Sequence, residues 1–402
     1  MKKKIIFVQF VKFLDFHYDL FEIKYLKKNF DVEIHDLSYF FNKKSHEIYK
    51  YLEQKNETSK FYDLISWFNK IICEHKKFKN NLYIIYTEYP LNLKFLYYHF
   101  FLSKKKINIA LINQNTMPNV NIMKDYSFRE NLMYKLHRAV KRHRHVFFDK
   151  KKNIIKFVFD LISKINPPKY IFTNGLISTK RLKKKFYKSK IVSTNSWEAS
   201  KIFIKEKKNN ISKKNYGVYL TPFSINSATD SNTYGYHQLV NAQNVFKSVN
   251  IGLNQIEKKN KKKILIGLHP RGEDKIKRIK DLGNRLTYKN NTMSLIKNSK
   301  FVITHASIAI SYAIIFNKPL IFIFTNEHKK DYLYMRYNKC LAEFFLTHAV
   351  NIEKVENLQL NNFINKKEKK KYKYFKKAYL FSKKYKNVPN YKIIKNLIYN
   401  SK

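Results

Sequence analysis

Short apolar runs recur along this chain with amphipathic stretches between them, and that alternation is the pattern of a parallel α/β sheet. Ile5–Phe10, Val32–Leu37, Leu82–Tyr86 and Ile107–Ile112 read as strands. Tyr18–Lys28 and Lys60–Cys73 place apolar residues at helical spacing. A basic helical stretch around Tyr134–Arg144 interrupts the series, and strands follow at Tyr170–Thr173 and Lys190–Ser193. A second series starts at Tyr216–Leu220 and continues with Ile264–Leu268, a short strand near Leu286, Phe301–Thr304 and Leu320–Phe324. Within it, Leu239, Ala242, Phe246, Val249, Leu253 and Ile256 form one stripe on a long helix, and a helix is expected over Ser307–Phe316.

Two series over 402 residues match the two domains that this length predicts. The fold class expected is α/β, two Rossmann-like domains facing a central cleft. The first domain is assigned to residues 1–205 and the second to 216–355, with an almost wholly polar linker between them. A basic helical tail takes 356–402. In such sheets ligands bind beyond the carboxyl ends of strands, so residues just after a strand rank first as functional candidates.

The chain carries 81 Lys plus Arg against 29 Asp plus Glu, a formal charge of +52. Phosphate neutralisation suggests nucleic acid, but only 9 of the basic residues are Arg, the side chain that reads base edges and grips phosphate in bidentate fashion. The lysines run from end to end among Asn, Ile, Tyr and Phe, the residues an A/T-rich genome favours. No specific nucleic-acid partner is therefore expected; a surface of this charge suits anionic lipid headgroups instead. The 16% of aromatic residues excludes a disordered basic chain. Two cysteines exclude a disulfide framework and a zinc ribbon, and none of the seven glycines falls in a dinucleotide or Walker loop. No targeting or membrane-spanning segment is recognisable. The expectation is a cytoplasmic protein, peripheral at most on the inner face of a membrane.

Two loops concentrate the chemistry. His269, Pro270 and Arg271 follow strand Ile264–Leu268, where a histidine and an arginine can hold a phosphate or protonate a leaving phosphoryl oxygen. In "FVITHASIAISYAIIFNKPLIFI" a buried strand ends at Thr304-His305 and small residues open a helix, with Ser307 as its cap or a phosphate ligand and Ser311 one turn on. Alone, the first is equally an ordinary turn and the second a plain N-cap. Together, from nearby strands of one sheet, they point to a phosphate site. Thr221 and Ser224, after the second domain's first strand, are further phosphate candidates.

"LIGLHPRGED" followed by "SLIKNSKFVITHASIAISYAIIFNKPLIFI" resembles the C-terminal half of bacterial surface-polysaccharide glycosyltransferases of the GT-B fold. The bacterial sialyltransferases and related capsule and lipooligosaccharide transferases share a His-Pro motif and a downstream Ser-containing helix start. The likeness runs from Tyr216 to Glu327. It implies that His269 contacts the donor's phosphate, that Ser307 and its neighbouring amides bind the same group, and that His305 lines the donor pocket. Their Asp/Glu-Asp/Glu-Gly motif is missing here, and "THAS" replaces their Ser-Ser or Ser-Thr pair.

A transfer of this kind uses a nucleotide sugar, with CMP among the candidate nucleotides, and a glycan or glycolipid acceptor. An inverting transfer needs a base for the acceptor hydroxyl, and Asp15, His17 and Glu88 follow first-domain strands, the two carboxylates being preferred. Gln114 and Asn115 are candidate acceptor hydrogen-bonders. No cofactor and no metal are expected: Asp-x-Asp does not occur, and His137, His143 and His145 sit among arginines that repel a cation. A polyol-phosphate transferase, a sugar-nucleotide epimerase and a non-catalytic assembly scaffold remain open on the same fold.

Overall fold

A computed structural model of the chain describes residues 2–41, 43–48, 58–87, 93–114, 117–118, 120, 157, 160–162, 164–204, 215–222, 240–268, 280–289, 291–355 and 366–400. It divides into two compact units. One comprises Met1–Asn115, His145–Ile204 and Lys377–Lys402, the other Thr116–Arg144 and Lys205–Lys376.

The first unit is built on a seven-stranded sheet: β1 (Lys4–Gln9), β2 (Asp31–Asp36), β3 (Thr58–Lys60), β4 (Leu82–Tyr86), β5 (Asn108–Ile112), β6 (Tyr170–Asn174) and β7 (Lys190–Thr194). The order is β3-β2-β1-β4-β5-β6-β7, and every pair is parallel. Alternate residues of a strand face opposite sides, so an uninterrupted apolar strand feeds two cores. In β1, Ile5 and Phe7 join the cluster that holds Ile393, Ile394 and Ile398 of the last helix, Asn390–Tyr399. Ile6 and Val8 join the opposite one, with Trp67 and Ile71 of helix Leu64–Phe78. The C-terminal residues thus complete one face of this sheet. Asn195 ties them down: its side chain donates to the carbonyls of Tyr385 and Val388 and accepts from Ser382 N–H, while its backbone exchanges two bonds with the Asn390 side chain.

The second unit holds β8 (Tyr216–Leu220), β9 (Lys263–Gly267), β10 (Thr287–Tyr288), β11 (Phe301–Thr304), β12 (Leu320–Phe324) and β13 (Ala349–Asn351). The order is β10-β9-β8-β11-β12-β13, again all parallel. Val245, Phe246, Val249, Leu253 and Ile256 of helix Ala242–Asn260 cover Tyr219, Ile266, Ile303 and Ile321 on one face. Gly217 and Gly252 allow close approach there, since a Cβ on either would overlap the Phe301 ring or the Ile352 backbone.

Local expectations needed four corrections. The helix expected over Tyr18–Lys28 is two short ones, Asp15–Leu20 and Ile23–Leu26, broken at Glu22, whose φ is 56°. Glu22 is buried there because its carboxylate accepts from the Ser200 hydroxyl and from Tyr391 N–H. Lys60 closes a strand, and the following helix starts at Leu64, capped by Asp63, which accepts from Ser66 N–H at 2.8 Å. The helix expected over Ser307–Phe316 spans Ile310–Ile315, after a turn in which Ala309 N–H donates to Ser307 Oγ and Ile310 N–H to the Ser307 carbonyl. Strands β3 and β13 had no apolar run to announce them. The basic stretch 134–144 and most of the expected linker lie outside the described residues.

Candidate active site

Each sheet reverses its order once, and open parallel sheets bind ligands at the carboxyl ends of the strands flanking that point. In the second unit the chain runs from β8 out to β9 and β10 and returns to β11 on the other side of β8. The switch point is therefore β8/β11. There the Tyr219 hydroxyl lies 3.1 Å from His305 Nε2, both side chains being fully buried. His305 stacks on His328, which follows β12, with ring centroids 4.9 Å apart, and His328 stacks in turn on Tyr334.

Backbone geometry assigns the His328 proton. Thr325 N–H donates to His328 Nδ1 at 3.0 Å, so Nδ1 accepts and the neutral ring carries its hydrogen on Nε2. Among the described residues His328 Nε2, His305 Nδ1 and Ser311 Oγ have no hydrogen-bond partner although all three are buried. Burial pulls the His328 imidazole down to about 4. Burial, reinforced by His328, pulls His305 well below its ordinary value. Both rings are neutral at physiological pH, and the floor of this site is uncharged.

Of the second-unit candidates, Thr304 is buried and its hydroxyl donates to the His305 carbonyl, closing the turn. Thr221 is buried, and both its N–H and its hydroxyl point to the Gly267 carbonyl, tying the ends of β8 and β9 together. Ser311 is enclosed in the short helix. Ser307, half-buried in the turn above His305, remains open to solvent. His269, Pro270, Arg271 and Ser224 lie outside the described residues; Leu268, which precedes the first three, is half-buried at the end of β9.

In the first unit the order reverses at β1/β4. Thr87 spans that point, its hydroxyl donating to Gln9 Oε1 at 2.5 Å and its N–H to the Val8 carbonyl. Past Gln9, Asp36 at the end of β2 accepts from Phe13 N–H at 3.0 Å and Ser38 N–H at 2.8 Å, and so shapes the loop after β1. Lys12 in that loop is buried; burial lowers its ammonium, Lys60 lowers it further and Asp36 opposes both. Asp15 is exposed in the first turn of the next helix. His17 is buried among Phe13, Phe16 and Phe21, and its Nδ1 accepts Leu14 N–H at 2.9 Å. It holds the helix start, so it stands behind the site surface. The Gln114 amide donates to Thr194 Oγ1 and the Asn195 carbonyl and accepts from Trp197 N–H, which commits it to holding the loop after β7. Glu88 and Asn115 lie outside the described residues.

Sequence reasoning missed Gln9, Thr87, Asp36, Tyr219 and His328. Strand-end position would have found Gln9, Thr87 and Asp36. Nothing local marks Tyr219, which is one apolar-run residue among many, or His328 in a run of charged residues.

Two such sheets make the fold GT-B-like: two parallel-sheet α/β domains, each with a switch point at the carboxyl ends of its strands. Several solved structures are similar to the chain. The Staphylococcus aureus MnaA–UDP complex is 11% identical, covers 99% of this chain and 96% of its own, and superposes with a TM-score of 0.50. Phytolacca americana UGT2 complexed with UDP-2-fluoro-glucose and pterostilbene is 11% identical over 99% of each chain, with a TM-score of 0.49. Methanocaldococcus jannaschii UDP-GlcNAc 2-epimerase with UDP-GlcNAc and UDP is 17% identical over 92% of this chain and 98% of its own, with a TM-score of 0.41. At 11% identity the likeness to the MnaA structure speaks for the fold alone. No family model and no curated protein matches the chain.

Proposed function

We propose that the chain is a glycosyltransferase that moves a sugar from a nucleotide-sugar donor to a cell-surface glycan or glycolipid of the capsule or lipooligosaccharide type. The observation that supports this most is the β8/β11 switch point: an uncharged, buried Tyr219–His305–His328 floor beneath a turn that leaves Ser307 open, with His269 and Arg271 following the adjacent β9 in sequence. In this reading His269, Pro270, Arg271 and Ser307 take the donor phosphates, and the positive charge of Arg271 and His269 offsets the charge that develops on the leaving nucleotide. His305 supports the turn from below. The first unit takes the acceptor, and Asp15 or Glu88 removes the proton of its hydroxyl. The partners are the nucleotide sugar, the acceptor and an anionic membrane on which the protein is peripheral; neither a cofactor nor a nucleic acid is part of it.

A thermal-shift series with CMP, UDP, GDP, CDP and dTDP tests the donor site, because a ligand of the folded state raises the melting temperature by mass action. Stabilisation by one nucleotide that disappears in His269→Ala is the expected result. CMP would point to a sialic or related keto-acid sugar, UDP or GDP to a hexose. No shift with any of the five at millimolar concentration overturns the reading. Conversion of a nucleotide sugar without an acceptor would turn it into an epimerase.

A further inference from the structure

Helix Leu93–Lys104 of the first unit is apolar almost all round, although a helix with one buried face should be amphipathic. Phe95 and Leu102 join the core with Trp67 and Tyr86. Leu96 and Phe100 pack on Leu161 and Ile162. A third side remains, and it carries Tyr97, 68% exposed, and Phe101, 36% exposed. Phe68 of the neighbouring helix lies against it, 4.9 Å from Phe101 and 5.2 Å from Tyr98, and Ile65, one turn before Phe68, is 63% exposed. On the other flank Ile165, one turn after Leu161, is also mostly exposed. The result is an apolar band across three helical segments.

Among the described residues of these segments, the charges not held in a helix cap or an ion pair are basic. Lys104 ends the central helix and Lys105 and Lys106 follow it, with the Lys105 ammonium 5.4 Å from the Phe101 ring, and exposed Lys76 and Lys77 lie in the last turn of its neighbour. The carboxylates of these segments are engaged. Asp63 caps its helix, Glu74 is buried against Lys4 and Lys70, and Asp160 pairs with Lys185.

We propose that this band is a membrane-docking surface and that its occupant is an anionic lipid bilayer. Tyrosine and phenylalanine would lie at the boundary of headgroups and acyl chains, with the lysine ammoniums on lipid phosphates. Charge decides between this occupant and a second copy of the chain. The cores of protein–protein contacts exclude lysine, and two copies each carrying +52 repel one another, whereas the same charge draws the protein to an anionic surface. The inference rests on the membrane half of the function proposed above and not on its donor half.

The test is co-sedimentation of the full chain with vesicles of phosphatidylcholine alone and of phosphatidylcholine with phosphatidylglycerol. The wild type should bind the anionic vesicles. Tyr97→Ser/Phe101→Ser should weaken partitioning by about tenfold. The control Lys258→Glu/Lys259→Glu, which removes charge on the second unit, should weaken it less. Phe101→Trp serves as an independent readout: its emission should shift to the blue with anionic vesicles and be quenched by brominated acyl chains. No binding by the wild type would overturn both the band and the membrane half of the functional reading. Binding that the control weakens more than the serine pair, or a Phe101→Trp emission that lipid leaves unchanged, would overturn the band alone. A concentration-dependent dimer that the serine pair dissolves would assign the surface to a second copy.

Discussion

The Tyr219 hydroxyl meets His305 Nε2 across β8 and β11, the strands at which the second sheet reverses its order. This buried contact joins the floor of the candidate donor site to the turn that carries Ser307. Tyr219→Phe removes the hydroxyl and leaves both His305 nitrogens without a hydrogen bond in a dry interior. A loss of about 1–3 kcal/mol is expected, because a buried polar group retains its desolvation cost when its partner goes. Urea denaturation of the variant measures this loss.

The His305–His328 stack predicts acid sensitivity of the second unit. His328 titrates near 4 in the folded chain against an ordinary 6.5, so between these values the unfolded chain binds more protons. Stability is then complete above pH 6.5 and falls as pH drops toward 4, by about 3 kcal/mol for a shift of this size. Asp331 and Glu327 oppose the shift without overcoming burial. In His328→Asn, which keeps an acceptor for Thr325 N–H, melting curves between pH 4 and 7 should lose much of this slope.

Glu22 predicts the opposite slope in the first unit. Burial raises its carboxyl to about 7, against the lowering effects of Ser200 and Tyr391. The folded chain holds the proton longer than the unfolded one, so stability falls as pH climbs from 4.5 to 7, by about 3 kcal/mol, and is level above. Trp67 and Trp197 both belong to this unit, and their fluorescence during denaturation follows it separately. Glu22→Gln should flatten that dependence.

Lys4 is buried at the start of β1 with its ammonium 2.5 Å from Glu33 and 2.7 Å from Glu74. Burial works against its charge, yet the two carboxylates outweigh it and raise its pKa. Lys4→Met would leave the buried Glu74 with Lys70 alone, so the loss should be sizeable but below the about 3–5 kcal/mol of a buried pair broken outright. Thermal melting should fall well below that of Lys70→Met, because Lys70 is more exposed.

Gly175 opens helix Gly175–Lys185 at φ 65°, and a Cβ there would come within 2.2 Å of the Ala378 carbonyl. Gly175→Ala should therefore loosen the C-terminal residues from the first unit. Faster proteolysis after Lys377, Lys383 or Lys384 would report it.

The strands were the most legible part. Leu82–Tyr86, Tyr216–Leu220, Phe301–Thr304 and Leu320–Phe324 stand where their apolar runs put them, because a strand buried on both faces must be apolar throughout. Edge strands such as Ala349–Asn351 need no such run, and they escaped notice. Helix starts were less legible. Leu14 N–H reaches His17 Nδ1 at the start of helix Asp15–Leu20, and Thr325 N–H reaches His328 Nδ1 just after β12, so each unit holds a turn closed by a histidine three residues on. A histidine three residues after the N–H it accepts carries no distinct local signal, since its role depends on the packing that buries the ring.

The order of apolar runs determined by itself that this chain forms two parallel α/β sheets, because periodicity and burial are properties of neighbouring residues. Tertiary structure alone decided which polar residues are spent in holding the fold and which stay open. Gln114 and Thr221 look in sequence like any loop residues after a strand, but each is bonded to atoms brought near by a different strand or turn, whereas His17 and Thr304 are spent within their own turns. Ser307 is only half-buried: its Oγ accepts Ala309 N–H within its own turn, two residues after His305, whose stacking partner His328 lies 23 residues further along the chain. Long-range contacts of this kind follow from strand order and register, which no local pattern specifies.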